Sequence, residues 1–279
     1  MSIKLFDQTA KDMSRKLALN YSTSFSLGIR LLSKEYRWAV FAIYGLVRVA
    51  DEIVDTFHGF NKAQMLSDFK AQAYQSIEEG ISTNPVLHAF QLAANQFGIG
   101  KDLIDPFFYS MEEDLQSQVH SEKSYNDYIF GSAEVVGLMC LKVFCAGDEN
   151  TYNFLCPMAK SLGSAFQKVN FLRDIQSDMS ERGRVYFPGV NFETFSDSDK
   201  RHIVLDVKND FNKALPGIKK LPVGCRLGVY TAYQYYLELL HKIERKSAVD
   251  VVKSRVRIRN SLKFTLLVKS FFCEKLMPA

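Results

Sequence analysis

Gln167-Lys168-Val169-Asn170-Phe171-Leu172-Arg173-Asp174-Ile175-Gln176-Ser177-Asp178 is the stretch on which the fold turns. Gln167, Asn170, Asp174 and Asp178 fall at i, i+3, i+7 and i+11, so a helix places them on one face. Leu162, Phe166, Val169, Phe171, Leu172 and Ile175 occupy the other faces. The pattern is a polar strip on an otherwise apolar rod, with Arg173 beside the strip. A surface helix would account for it. A strip of oxygen donors without His or Cys also suits a hard cation such as Mg²⁺ better than zinc or copper.

A second acidic motif lies upstream, Asp51-Glu52-Ile53-Val54-Asp55. Arg48, Asp51 and Asp55 share a helix face at i, i+3 and i+7. An exposed stripe in which Arg48 pairs with Asp51 is the simpler reading. Against it, Trp38, Val40, Phe41, Ile43, Tyr44, Val47 and Val49 are apolar nearly all round, which marks a buried helix. Buried carboxylates need a compensating charge or a metal. Downstream of the strip, Arg182-Gly183-Arg184-Val185-Tyr186-Phe187-Pro188 offers two arginines able to clamp phosphate oxygens. Near the start, Tyr21-Ser22-Thr23-Ser24-Phe25 offers hydroxyls for the same anion, or a cap or turn.

The 279 residues suffice for one large domain or two small ones. A hydrophobic content of 47% and a charged content of 24% place the chain among ordinary soluble globular proteins. The 22 Phe and 13 Tyr could line a large apolar cavity or fill an aromatic core. A net charge of +4 gives no whole-protein case for nucleic acid. The basic excess is local. From Lys242 to Lys275 lie Arg245, Lys246, Lys253, Arg255, Arg257, Arg259, Lys263 and Lys269, against Glu244, Asp250 and Glu274. A solvated helix face and a patch facing phosphates or an anionic membrane stand level as readings. Cys140, Cys145, Cys156, Cys225 and Cys273 form no C-x-x-C pair and read as reduced thiols of an intracellular protein. No charged-then-apolar leader opens the chain. The longest uncharged apolar run, Trp38 to Val47, falls short of the roughly 20 residues that span a bilayer. These features predict a soluble or peripheral protein.

Helical periodicity dominates. It predicts a helix from Tyr36 to Phe57, one opened by Asn84-Pro85 and closed by Gly98, and one opened by Asp105-Pro106. Ser124 with Asp127 resembles a capping box before a long apolar helix ending near Gly147. A helix follows from Ser161 to about Ser180, broken by Gly183, and Val185 to Phe195 reads as an irregular loop. Pro222 precedes a Tyr-rich helix reaching about Arg245, and a last helix holds Lys263 to Lys275. No strand series or linker stands out, so residues 1–279 read as one all-α domain, its helices packed around each other and around a central cavity. No nucleotide-binding fingerprint occurs, and His58, His88, His120, His202 and His241 make no metal motif.

Together these residues resemble the squalene/phytoene synthase family. The resemblance rests on Ala42-Ile43-Tyr44, Arg48, Asp51 and Asp55, and on Leu162-Gly163 with Gln167, Asn170, Arg173, Asp174 and Asp178. It closes on Arg184-x-Tyr186-x-Pro188. Ser22-x-Ser24-Phe25 and Tyr128 to Gly137 also look like family blocks, and the likeness runs from about residue 15 to 270. It implies an isoprenoid-synthase helical bundle and a head-to-head (1′–1) condensation of two prenyl diphosphates through a cyclopropyl diphosphate. By the same resemblance, Asp51, Asp55, Asn170, Asp174 and Asp178 would hold Mg²⁺, with Mn²⁺ as a substitute. Ser22, Ser24, Arg48, Gln167, Arg173 and Arg184 would contact diphosphates. Tyr128 and Tyr186 would flank the reacting carbons, and one of Arg255, Arg257 or Arg259, with Arg257 the choice, would add a phosphate contact. The chemistry of the residues agrees, because ionising an allylic diphosphate needs electrostatic neutralisation rather than a nucleophile. The cation then needs a dry aromatic wall.

The favoured activity is phytoene synthesis from two geranylgeranyl diphosphates for carotenoids. The close alternative is a C30 product from farnesyl diphosphate, dehydrosqualene or, with NADPH, squalene. Chain length would be set along Tyr125 to Cys145, with its small residues Gly131, Ala133 and Gly137. A non-catalytic homologue acting in lipid binding or assembly would be expected to lose metal ligands, and a terpene cyclase or chain-elongating synthase would carry differently spaced motifs such as D-D-x-x-D. The expected setting is the cytoplasm, peripheral at the inner face of the membrane, with a downstream desaturase as partner and no nucleic acid.

Overall fold

The computed structural model describes residues 2–116, 121–182, 184, 186–190 and 194–275. Among them every regular element is helical: α1 (Ile3–Tyr21), α2 (Thr23–Arg30), α3 (Lys34–Asp55), α4 (Lys62–Glu79), α5 (Pro85–Phe97), α6 (Lys101–Glu113), α7 (Glu122–Ile129), a π turn (Phe130–Glu134), α8 (Val135–Cys145), α9 (Glu149–Arg182), α10 (Asp197–Lys220), α11 (Val223–Glu244), α12 (Ala248–Lys253) and α13 (Asn260–Lys275).

Local chemistry fixes many boundaries. The Asn84 side chain accepts the Val86 N–H with Pro85 at the first position, and Gly98 closes α5 in the left-handed region at φ 67°. Ser196 and Asp199 form a reciprocal capping box at α10.

Three expectations shift. α6 begins at Lys101, so Pro106 lies inside it rather than opening it. Proline cannot donate to the carbonyl four residues back, an interior cost of ~3 kcal/mol. The neighbouring turn is packed hard against this spot: a Cβ added at Gly131 would stand 2.2 Å from the Pro106 carbonyl oxygen and 2.0 Å from Ser110 Oγ. The cap of α7 is Ser121, whose Oγ accepts the Ser124 N–H, so the helix starts three residues before the predicted Ser124–Asp127 pair and with a single side-chain cap in place of a box. α9 starts at Glu149, well before Ser161. Gly183 and Val185 lie outside the described residues, as do residues 191–193 and His120, and Arg182 is the last residue of α9 rather than part of a loop.

Two apolar cores organise the bundle. The first joins α1–α6 and α8 around Phe41, Leu46, Phe90, Phe107 and Phe108. The second gathers α7 and α9–α12 around Phe171, Leu172, Phe211, Leu239 and Leu240. A cavity is walled by members of both, Ile29, Val40 and Ile43 from the first, Phe171, Tyr186 and Ile218 from the second. The continuous rod Glu122–Cys145 is long and apolar enough to cross a membrane by length and composition, but 56% of its apolar 18-residue stretch is buried inside the bundle.

Candidate active site

The cavity encloses about 720 Å³ and is polar at one end and apolar along its bore. That volume falls within the range of small-molecule sites. α3 supplies Tyr44, Arg48, Asp51 and Asp55 to its wall, and α9 supplies Gln167, Asn170, Arg173, Asp174 and Asp178. Both acidic motifs therefore face one space. The predicted pair of Arg48 with Asp51 does form, at 2.7 Å, and Arg48 also engages Glu52. Its guanidinium lies 4.4 Å over the Tyr21 ring.

The register of α9 follows from its back face. Lys168 is buried, and its Nζ donates to Asp206 at 2.5 Å and Asp210 at 2.8 Å, both on α10. Ser164 Oγ donates to the same Asp210 oxygen at 2.8 Å. Breaking such a buried pair leaves an uncompensated charge, so it holds the helix rotation that turns the polar strip inward.

Arginines hold the carboxylates. Arg173 grips Asp174 through Nε at 3.0 Å and a second nitrogen at 2.5 Å, and Arg255 Nε reaches the same carboxylate at 2.7 Å. Arg184 spans three elements. It reaches Asp55 Oδ1 at 2.9 Å, the Asp114 carbonyl at 2.8 Å and Asp114 Oδ1 at 3.4 Å, while its backbone N–H donates to the Asp178 carbonyl at 2.9 Å.

Among the described residues, no three His, Cys, Asp or Glu side chains converge on one point that could hold an ion. The donor set nonetheless fits a hard cation. Asn170 Oδ1 is buried on the strip without a hydrogen-bond partner, and the same strip carries the Gln167 amide and the Asp174 and Asp178 carboxylates, all oxygen donors.

An aromatic group lies beside this polar end. Tyr128, Phe171 and Tyr186 line the cavity. Phe171 and Tyr186 stack at 4.0 Å, and Tyr128 lies 5.3 Å from Tyr186. Burial drives both tyrosine hydroxyls far above their ordinary value, so both stay protonated. The bore beyond is lined by Leu32, Val136, Phe144, Leu155, Met158 and Leu221. Ala133 and Gly137 line it as well. Gly131 does not, being spent on the contact with α6.

Two predicted site residues lie off the wall. Ser22 lines the cavity and also caps α2 by accepting the Phe25 N–H at 3.1 Å, whereas Ser24 is half-buried away from the lining. Arg257 is exposed, and Arg255 takes the wall position instead. Val256 and Ile258 are buried and anchor the extended segment, which leaves Arg255 as the member that reaches Asp174.

Asp114 was not anticipated from the sequence. Its side chain is 7% exposed, accepts the Tyr128 hydroxyl at 2.8 Å and lines the cavity. Burial pushes its carboxyl up to about 7; Arg184 and Tyr128 pull it down, and Asp55 and Asp51 raise it. A signal did exist. Glu112, Glu113 and Asp114 crowd the C-terminal end of α6, where the helix dipole disfavours negative charge, so a compensating cation was called for.

Comparison with known proteins bears on these features. The squalene/phytoene synthase family matches residues 18–261. The 4,4'-diapophytoene synthase of Staphylococcus haemolyticus is 27% identical over 194 residues, covering 68% of this chain and 66% of that protein. The phytoene synthase of Arthrospira platensis is 26% identical over 273 residues, covering 88% and 87%. A solved dehydrosqualene synthase superposes with a TM-score of 0.83 at 20% identity, covering 97% of this chain and 98% of that one. The last likeness speaks for the fold.

Proposed function

Because the chain belongs to the squalene/phytoene synthase family, a family of head-to-head prenyl synthases, we propose that it joins two prenyl diphosphates 1′–1 through a cyclopropyl diphosphate to a linear hydrocarbon. The observation that carries this reading is the pair of acidic motifs on one cavity, with aromatic rings beside them and an apolar bore beyond. Phosphates belong at the polar end and prenyl chains in the bore.

Arg48, Arg173 and Arg184 are placed to exchange carboxylate partners for diphosphate oxygens, with Gln167 and Ser22 as neutral donors and Arg255 in the role expected of Arg257. Asp51, Asp55, Asn170, Asp174 and Asp178 would hold Mg²⁺, or Mn²⁺ in its place. The ion would supply further neutralisation of the leaving diphosphate. The rings of Tyr128, Phe171 and Tyr186 present π faces to an allylic cation, and the protonated hydroxyls of the two tyrosines offer it no strong nucleophile. The apolar bore keeps water from the same carbon.

Geranylgeranyl diphosphate is the substrate on the favoured reading, giving phytoene, and farnesyl diphosphate on the alternative, with NADPH entering only for squalene. The enzyme would work in the cytoplasm and hand its hydrocarbon to a desaturase. The test is incubation of the pure protein with each diphosphate and Mg²⁺, with and without NADPH, followed by identification of the hydrocarbon. A C40 or C30 hydrocarbon supports the reading and fixes its chain length; prenyl alcohols alone, or unchanged substrate with both, reject it.

A further inference from the structure

α13 is apolar on two sides. Its inward side buries Leu266 and Ser270 and packs Leu262 and Cys273 against the second core, where the helix rests on α11. Its outward side exposes Phe264 (68%), Val268 (38%), Phe271 (42%) and Phe272 (62%). These positions, i, i+4, i+7 and i+8, form one stripe. A helix at the surface of a soluble domain needs only one apolar face, and a contiguous second one marks a contact surface.

Cations border the stripe. By helical position Lys263 lies along one edge and Lys269 along the other, with Glu274 as the acidic neighbour near the C-terminal end. Arg257 and Arg259 are exposed on the extended segment that leads into α13, whereas Arg255 of the same segment turns to Asp174. The face also adjoins the cavity. Lys263 Nζ meets Thr23 Oγ1 at 3.0 Å, next to the cavity-lining Ser22. α11, on which α13 rests, gives Gly228, Val229, Ala232 and Tyr236 to the cavity wall.

We propose that α13 seats the protein on an anionic lipid surface, its Phe264–Phe272 stripe entering the acyl boundary and its flanking lysines and arginines meeting the headgroups. Phenylalanines bordered by lysines are the composition of helices that lie in the membrane interface. A second copy of this chain fits the face less well, because pairing would set the same cationic border against itself. Seating on lipid brings the cavity beside the phase from which an amphiphilic diphosphate would enter. That purpose rests on the prenyl diphosphate reading; the seating itself does not, and its test uses no substrate.

Flotation of the full chain with phosphatidylglycerol/phosphatidylcholine vesicles, against phosphatidylcholine alone, measures it. The expected result is binding to the anionic vesicles that weakens at high salt. Partition should fall roughly tenfold in Phe264→Ser/Phe272→Ser and should fall also in Lys269→Glu. All three positions are exposed, and circular dichroism checks that helix content is kept. No binding at low salt, or binding indifferent to both variants, overturns the proposal. So does a concentration-dependent dimer by light scattering that the double variant abolishes without any vesicle binding, which would give the face to a second copy.

Discussion

Arg184 and Asp55, 129 residues apart in the chain, meet at 2.9 Å. The contact ties the loop after α9 to the end of α3 and brings the two acidic motifs to one wall. Arg184 is only 10% exposed and also serves Asp114, so its removal leaves two carboxylates without that cation. Arg184→Ala is expected to lower stability by about 3 kcal/mol, the usual cost of breaking a buried pair. Urea denaturation of the metal-free protein measures this. Arg184→Lys keeps the charge without the fork and should recover stability better than turnover.

Asp114 positions Tyr128 and Arg184. Asp114→Ala should reduce turnover about 10–100-fold, as losses of groups that orient a site commonly do. Its KM should change less than its kcat, since the carboxylate holds its neighbours rather than a phosphate. An unchanged kcat would remove Asp114 from the site.

Arg255 and Arg257 separate a wall position from a surface one. Arg255→Ala should raise KM for the prenyl diphosphate about tenfold or more, the worth of one charged hydrogen bond. Arg257→Ala should stay near wild type. Steady-state kinetics of the two variants side by side decides the assignment.

Glu134 gives a pH signature away from the site. Burial pushes its carboxyl from 4.5 up to about 7; Lys160 pulls it down, Asp210 raises it and Lys168 pulls it down. Between those values the folded protein keeps a proton that the unfolded chain has lost, so stability falls as pH rises across the window. Glu134→Gln should flatten that slope and gain on wild type most above pH 7. Denaturation midpoints at pH 4, 6 and 8 measure it; parallel curves would contradict it.

What the sequence disclosed follows from the range of each signal. The strip from Gln167 to Asp178 is written within a few turns of helix, so periodicity alone places its residues on one face. The ends of α5 are likewise local, set by Asn84-Pro85 and Gly98. Pro106 misled because its place inside α6 depends on packing by Gly131, 25 positions on. Arg255 was not separable from Arg257, because both alternate with buried Val256 and Ile258 and two residues of extended chain move a side chain by about 6.6 Å. Only tertiary structure says which of them meets Asp174. Ser24 stays off its predicted wall for the same reason: α2 is seated by contacts with α11 that no local pattern announces.

The central claim is that two C1 carbons are joined. Prenyl diphosphate labelled with ¹³C at C1 tests it directly, by NMR of the hydrocarbon made by wild type and by Asp51→Ala and Asp174→Ala. The account predicts that the wild-type product carries both labels in the two equivalent carbons at the centre of a symmetric chain, seen as one enriched resonance, and that neither variant makes product. Label at any other carbon of the product, or centrally labelled product at wild-type rate from either variant, would contradict it.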